Sequence, residues 1–169
     1  PLQKLIKDSA NRKTTIIKGD YPILIFSSDG MVVDSFTHNN IKVTVSITSY
    51  SAPSILQYAR LYCIYAYNQE ERFYKELKYD NTSNFLIKNV GIPKEGKGIQ
   101  TIDIENYNLT KHRELIILIK GSYTDSYGKN PRPLDIIGNY FFHSKKFGLM
   151  PSPYDDSIRI FLKKQGVMN

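Results

Sequence analysis

Residues 41–47 read Ile-Lys-Val-Thr-Val-Ser-Ile, a strict alternation of apolar and polar side chains. Successive side chains of an extended chain point to opposite faces. Ile41, Val43, Val45 and Ile47 therefore share one face, and Lys42, Thr44 and Ser46 the other. The segment predicts a strand in a sheet with one buried and one wet side. Residues 115–119 are an unbroken apolar run, Leu-Ile-Ile-Leu-Ile. Such a run predicts a central strand covered on both faces.

Other segments extend this β-rich reading. Tyr21-Pro22-Ile23-Leu24-Ile25-Phe26 is a short apolar run with an early Pro, which suits an edge strand. Ser28-Asp29-Gly30 predicts a turn, and Met31-Val32-Val33 resumes extended chain. Ser51-Ala52-Pro53 has the chemistry of a helix start, and Ile55, Tyr58, Ala59 and Tyr62 recur at helical spacing. Residues 61–67 fit either a continued helix or a strand. The expectation is a short helix near 53–60, then a hairpin that turns at Asn68-Gln69-Glu70-Glu71 and returns through 72–79. Residues 85–87 predict a further strand, residues 91–98 a loop with Gly, Pro and Lys, and Ile102 and Ile104, alternating with acidic residues, the next extended piece. Residues 121–133 predict a long polar loop, and 134–142 a short helix or an extended segment. Ile158, Ile160 and Leu162 alternate with Arg159, Phe161 and Lys163, which predicts a last strand. The expected fold class is α+β: an antiparallel sheet core with one or two short helices packed on it. Residues 1–20 are expected to form a flexible basic arm, and 21–169 a single globular domain.

The chain carries 23 Lys and Arg against 16 Asp and Glu, a formal net charge of +7. Lys4, Lys7, Arg12, Lys13 and Lys18 face only Asp8 within residues 1–18, so that segment holds +4 of the total. A clustered excess attracts phosphate-bearing partners, either nucleic acid or anionic lipid. Lys94 and Lys97 add two cations in the 91–98 loop.

Each candidate for chemistry lacks a needed part. The 91–98 loop has the spacing of a phosphate-cradling loop, but Gly98 stands where a Ser or Thr must follow the Lys, and a strand pattern follows. His38, His112 and His143 have no His, Cys or Glu partner at metal-ligand spacing. Cys63 lies in an apolar, Tyr-rich run that suits a buried, inert thiol. Asp155 and Asp156 are adjacent, and in a strand they diverge. No catalytic residue, cofactor or metal is expected, and the chain reads as a non-enzyme. Two short segments resemble partner-recruiting motifs. Tyr21-Pro22-Ile23-Leu24 fits the Y-P-x-L pattern of viral budding proteins. Pro151-Ser152-Pro153-Tyr154 approaches P-P-x-Y, with Ser152 in place of the second Pro.

The order of elements resembles the matrix proteins of rhabdoviruses, and the Asn, Ile, Lys and Tyr-rich composition is more similar to plant-infecting, cytorhabdovirus-like members. The likeness rests on residues 41–45 as a first core strand, on the basic-aromatic run 72–77, and on the aromatic and Lys segment 140–149. An intact P-P-x-Y motif is missing, and the family's C-terminal helix reads as shortened or lost. The resemblance implies a structural protein that self-associates, condenses the ribonucleoprotein and drives budding. It implies a place in the virion beneath the envelope, and in the host cytoplasm and at the inner membrane surface. Its implied partners are further copies of the chain in head-to-tail contact, an anionic membrane, the nucleocapsid and host budding machinery.

Charge arithmetic sharpens that expectation. Each Lys or Arg near an anionic surface contributes on the order of 1 kcal/mol. Four net charges then give a dissociation constant of about 1 mM, so one arm acting alone is weak and many copies must act together. Two other readings fit the residues. One is a bacterial envelope domain of the lipoprotein β-sandwich kind, with a leader preceding Pro1. The other is an RNA-binding module using Tyr side chains as stacking platforms.

Overall fold

The computed structural model describes residues 21–36, 40–66, 77–79, 85–104 and 113–168. The basic arm expected at 1–20 lies outside the described residues, and so do the turn at 68–71 and most of the 72–77 run. The fold is α+β and dominated by antiparallel sheet. The strands are β1 (Ile23–Phe36), β2 (Ile41–Tyr50), β3 (Ser54–Ala66), β4 (Leu77–Tyr79), β5 (Phe85–Ile92), β6 (Lys97–Ile104), β7 (Glu114–Asp125), β8 (Arg132–Phe141) and β9 (Lys146–Leu149). A single helix, α1 (Tyr154–Lys164), is present among the described residues. One sheet has the order β1-β2-β6. The other runs β4-β3-β7-β8-β9, with β5 also paired to β3.

The two sheets pack face to face around one apolar cluster. Leu24, Phe26 and Met31 of β1 and Ile41, Val43, Val45 and Ile47 of β2 meet Leu61, Cys63 and Tyr65 of β3 and Leu115, Ile117 and Ile119 of β7. The alternation in β2 thus places its apolar face inside, as expected. The opposite face is wet only at one end. Lys42 is exposed, whereas Ser46 and Thr48 are buried, and the Thr48 hydroxyl lies 2.6 Å from that of Ser27. β1 is an edge strand, and the turn expected at 28–30 is instead an irregularity within it, between Phe26 and Met31.

The apolar run in β7 is covered on both faces, as its composition predicts. Leu115, Ile117 and Ile119 face the partner sheet. Ile116 and Leu118 join Tyr62, Ile64, Ala66 and Ile137 in a second cluster, closed by Met150 and by Ile158 and Leu162 of α1.

Three local readings are corrected. Residues 53–60 are not a helix, because β3 runs unbroken from Ser54 to Ala66 between β5 and β7. A bulge between Leu56 and Tyr58 shifts the alternation, so the inward residues are Leu56 and then Ala59, Leu61 and Cys63. An even-to-odd shift of this kind mimics helical spacing in the sequence. Residues 158–163 are not a strand. Ile158 and Leu162 are buried one helical turn apart, whereas Ile160 is 53% exposed. Asp155 and Asp156 in the first turn and Lys163 and Lys164 in the last complement the helix dipole. Gly166 at φ +73° ends the helix, with its N–H on the Lys163 carbonyl and that of Val167 on the Leu162 carbonyl. The polar segment 121–133 is mostly not loop, because β7 continues to Asp125 and β8 begins at Arg132.

Candidate functional site: the loop end of the sandwich

Strand register gathers three connections at one end of the sandwich. Ser54 at the start of β3 stands opposite both Ile92 at the end of β5 and Asp125 at the end of β7. Ile23 at the start of β1 pairs Tyr50 at the end of β2, and Lys94 bridges to Ser49. The connections 51–53, 93–96 and 126–131 therefore share this end. Residues 1–20 join the sandwich here too, because the chain reaches β1 through Tyr21.

Asp125 organises the longest connection. Its Oδ1 accepts the backbone N–H of Tyr127 at 3.0 Å and of Lys129 at 2.9 Å, and its Oδ2 accepts Nδ2 of Asn130 at 3.0 Å. Its own N–H donates to the Lys129 carbonyl, and its carbonyl accepts the N–H of Gly128. A short carboxylate bonding the backbone ahead of it is the mechanism by which Asp fixes turns. Gly128 at φ +74° makes the reversal that an L side chain resists. Tyr127, at the tip, is left 84% exposed. Burial opposes ionisation of Asp125, but the N–H of Lys129, the amide of Asn130 and the N–H of Tyr127 outweigh it and hold the carboxyl below its ordinary value.

That direction fixes a pH dependence. A carboxylate with a depressed folded-state pKa orders the loop above its ordinary pKa, and this contribution is lost as pH falls through the folded value. Asp125→Ala should reproduce the acid state at neutral pH. Amide exchange at Tyr127 and Lys129 should quicken in the variant while that of β7 at Ile117 stays slow. Equal rates at Tyr127 in parent and variant would show that the carboxylate does not pin the loop.

Tyr21 anchors the start of β1 against this loop. Its hydroxyl donates to the Asn130 carbonyl, and its ring lies 3.6 Å below the Arg132 guanidinium and 6.4 Å from the Tyr123 ring. Burial raises its hydroxyl pKa, and the nearby Arg132 charge only partly offsets this.

The charges at this end are asymmetric. Two acids stand there, and both bond the backbone: Asp125 as described, and the exposed Glu95 through the N–H of Ser51 at 3.2 Å. Lys94, Lys129 and Arg132 are exposed and form no close ion pair among the described residues, although the Lys129 charge helps hold the Asp125 carboxyl below its ordinary value.

The residues singled out in the sequence divide across this geometry. Lys4, Lys7, Arg12, Lys13 and Lys18 lie outside the described residues. Lys94 stands at the loop end. Lys97 is in β6 and is paired with Asp29 at 3.0 Å, so its charge is largely answered within the chain. Tyr21, Pro22 and Leu24 are buried, so the folded domain does not present Tyr21-Pro22-Ile23-Leu24 as a free segment. Pro151 and Pro153 are exposed, but Tyr154 is half-buried and packs on the helix-side cluster, where the segment starts α1. Residues 140–149 form the β8–β9 hairpin. Phe147 there docks on Phe26 with ring centroids 5.3 Å apart, and Lys145 and Lys146 are exposed. Sequence reasoning missed Tyr127, Lys129 and Arg132. The signal was available in Asp125 followed by Gly128 and Asn130, a turn chemistry that puts intervening side chains at a tip.

No protein-family model matches the chain, and no curated protein matches it. Among solved structures it is similar to one described as Northeast Structural Genomics Consortium target SoR45, at 7% identity and a TM-score of 0.34, over 81% of this chain and 90% of that one. A likeness of that size carries no argument about fold or function.

Proposed function

We propose that the chain is a non-catalytic structural domain that binds an anionic membrane surface and self-associates there, in the manner of the viral matrix proteins its sequence resembles. One observation carries this reading. The segment holding +4 of the net charge joins the sandwich at the end where Lys94, Lys129 and Arg132 form no ion pair among the described residues and outnumber the two neighbouring acids, Glu95 and Asp125. Arm and loops then act as a single basic face. The five cations of residues 1–18 and these three make eight near lipid phosphates, a stronger contact than residues 1–18 give alone, and copies of the chain add avidity. In the matrix role the same cations meet the phosphates of the ribonucleoprotein, and budding follows from the assembled array.

Co-sedimentation with vesicles tests it. The protein should pellet with phosphatidylserine-containing vesicles and not with phosphatidylcholine alone, and high salt should release it, because screening shortens the reach of surface charge. Light scattering should show mass rising with concentration. A protein that stays monomeric and ignores anionic vesicles at low salt would sink the proposal.

A second reading has its own support. Two antiparallel sheets packed face to face around one cluster are a common architecture of extracytoplasmic domains. As an envelope domain, the protein would use residues 1–20 as a tether. It would remain monomeric in the scattering experiment while still meeting the membrane at the loop end.

A further inference from the structure

The membrane reading leaves open which part of the loop end enters the lipid. We propose that Tyr127 does: the hairpin pinned by Asp125 places its ring in the headgroup region of an anionic bilayer, while Lys129, Lys94 and Arg132 meet the lipid phosphates. The inference rests on the membrane reading of this end and deepens it.

Three observations converge on it. Among the described residues Tyr127 is the most exposed of the large hydrophobic side chains at 84%, and it sits at a connection tip instead of on a strand face. A tyrosine has an apolar body and a polar tip, which suits the water–hydrocarbon boundary. The tip is also ordered before any partner arrives. Three side-chain bonds from Asp125 and two backbone bonds fix residues 125–130, so little loop entropy is lost on contact. Finally, the surrounding charge has the sign that lipid phosphate requires, because Lys94, Lys129 and Arg132 outnumber Asp125 and Glu95, whose carboxylates bond backbone N–H groups and keep their charge. The apolar pair Ile23 and Tyr50, 50% and 38% exposed, stands at the same end and extends the surface that tolerates the interface. Single-stranded RNA is the less favoured ligand. Stacking along a strand needs a succession of aromatic faces, and among the described residues this end offers Tyr127 at a connection tip and only the partly exposed Tyr50 beside it.

The chain contains no tryptophan, so Tyr127→Trp creates a single-tryptophan reporter at the tip. Tyr58→Trp, at a half-exposed position on β3, provides the matched control away from the loops. With phosphatidylserine-containing vesicles, the emission of the tip reporter should shift to the blue, resist acrylamide and be quenched by brominated lipid, while the control stays unchanged. Lys129→Ala should weaken vesicle binding about fivefold, the effect of one surface cation. Vesicles that pellet the protein without moving the tip emission would overturn the insertion point and leave the membrane reading standing. Failure to pellet at low salt would remove both. Equal shifts of tip and control would mean unspecific adsorption, and a tip shift on single-stranded RNA but not on vesicles would replace lipid by nucleic acid. Either result overturns the inference.

Discussion

Gly121→Ala should destabilise the domain by about 3 kcal/mol, the upper end of the cost of overpacking. For a domain of this size that is a fall in melting temperature of roughly 6 to 12 °C. The reason is a contact between main chains. A Cβ at Gly121 would lie 2.0 Å from the Tyr58 carbonyl oxygen and 2.8 Å from the Ala59 Cα. Neither is the far end of a flexible side chain, so relief requires moving β3 against β7. These two strands are paired from Ser54–Asp125 to Ala66–Glu114 and form the centre of the larger sheet. The bulge at Leu56/Tyr58 brings the backbones together, and glycine in a strand is used where another backbone approaches closely. Gly91→Ala is the control. It adds the same methyl group on β5, where nothing lies within 4 Å. That change should be neutral, or stabilising by up to about 1 kcal/mol through the unfolded state. Urea denaturation of both variants decides the matter, and indistinguishable midpoints would mean that β3 and β7 are not as close as described.

The same bulge marks the limit of what the sequence made legible. Where one period holds along a segment, as in residues 41–47 or 115–119, the strand and its buried face follow from the residues themselves. Where the chain breaks its own period, the pattern misleads. In β3 the bulge moves the inward set from Leu56 to Ala59, and the resulting spacing imitates a helix with Ser51 and Pro53 at its start. In α1 the reverse occurs. Ile158, Ile160 and Leu162 alternate, yet only the first and last are buried. The end charges and Gly166 carried the better signal, because they bear on the helix dipole and its terminus and not on a side-chain period. The candidate site was half legible for a related reason. Net charge singled out Lys94, which stands at this end, and the basic residues of 1–18, which lie outside the described residues. It did not reveal that Lys97 is answered by Asp29, nor that Asp125 and Glu95 bond backbone N–H groups, since pairing depends on which strands become neighbours. Tyr21 and Leu24 show the converse. Their motif reads as a recruiting segment until the fold places both side chains in the core.

Ile117→Ala and Leu118→Ala should each cost about 2–5 kcal/mol, the range for truncating a fully buried aliphatic side chain. The equality is the informative part. Adjacent residues of a strand point to opposite faces, so a sheet covered on one side only would make one of these changes expensive and the other nearly free. Both side chains are fully buried. Ile117 packs in the cluster between the sheets, and Leu118 packs beneath α1 with Ile158 and Leu162. Double-mutant cycles separate the layers. Leu118→Ala combined with Leu162→Ala removes two members of one cluster, so the pair should be non-additive by about 0.5 kcal/mol or more. Ile117→Ala combined with Leu162→Ala removes members of different clusters and should add to within about 0.5 kcal/mol. The cycles also test why α1 exists as a helix at all. An eleven-residue helix is marginal by itself in water, so its stability must come from the sheet face that Ile158 and Leu162 cover. Leu118→Ala should accordingly lower the helix's protection from amide exchange more than Ile117→Ala does at equal global stability. If the two cycles couple equally, or if Leu118→Ala costs less than about 1 kcal/mol, the helix does not form the third layer described here.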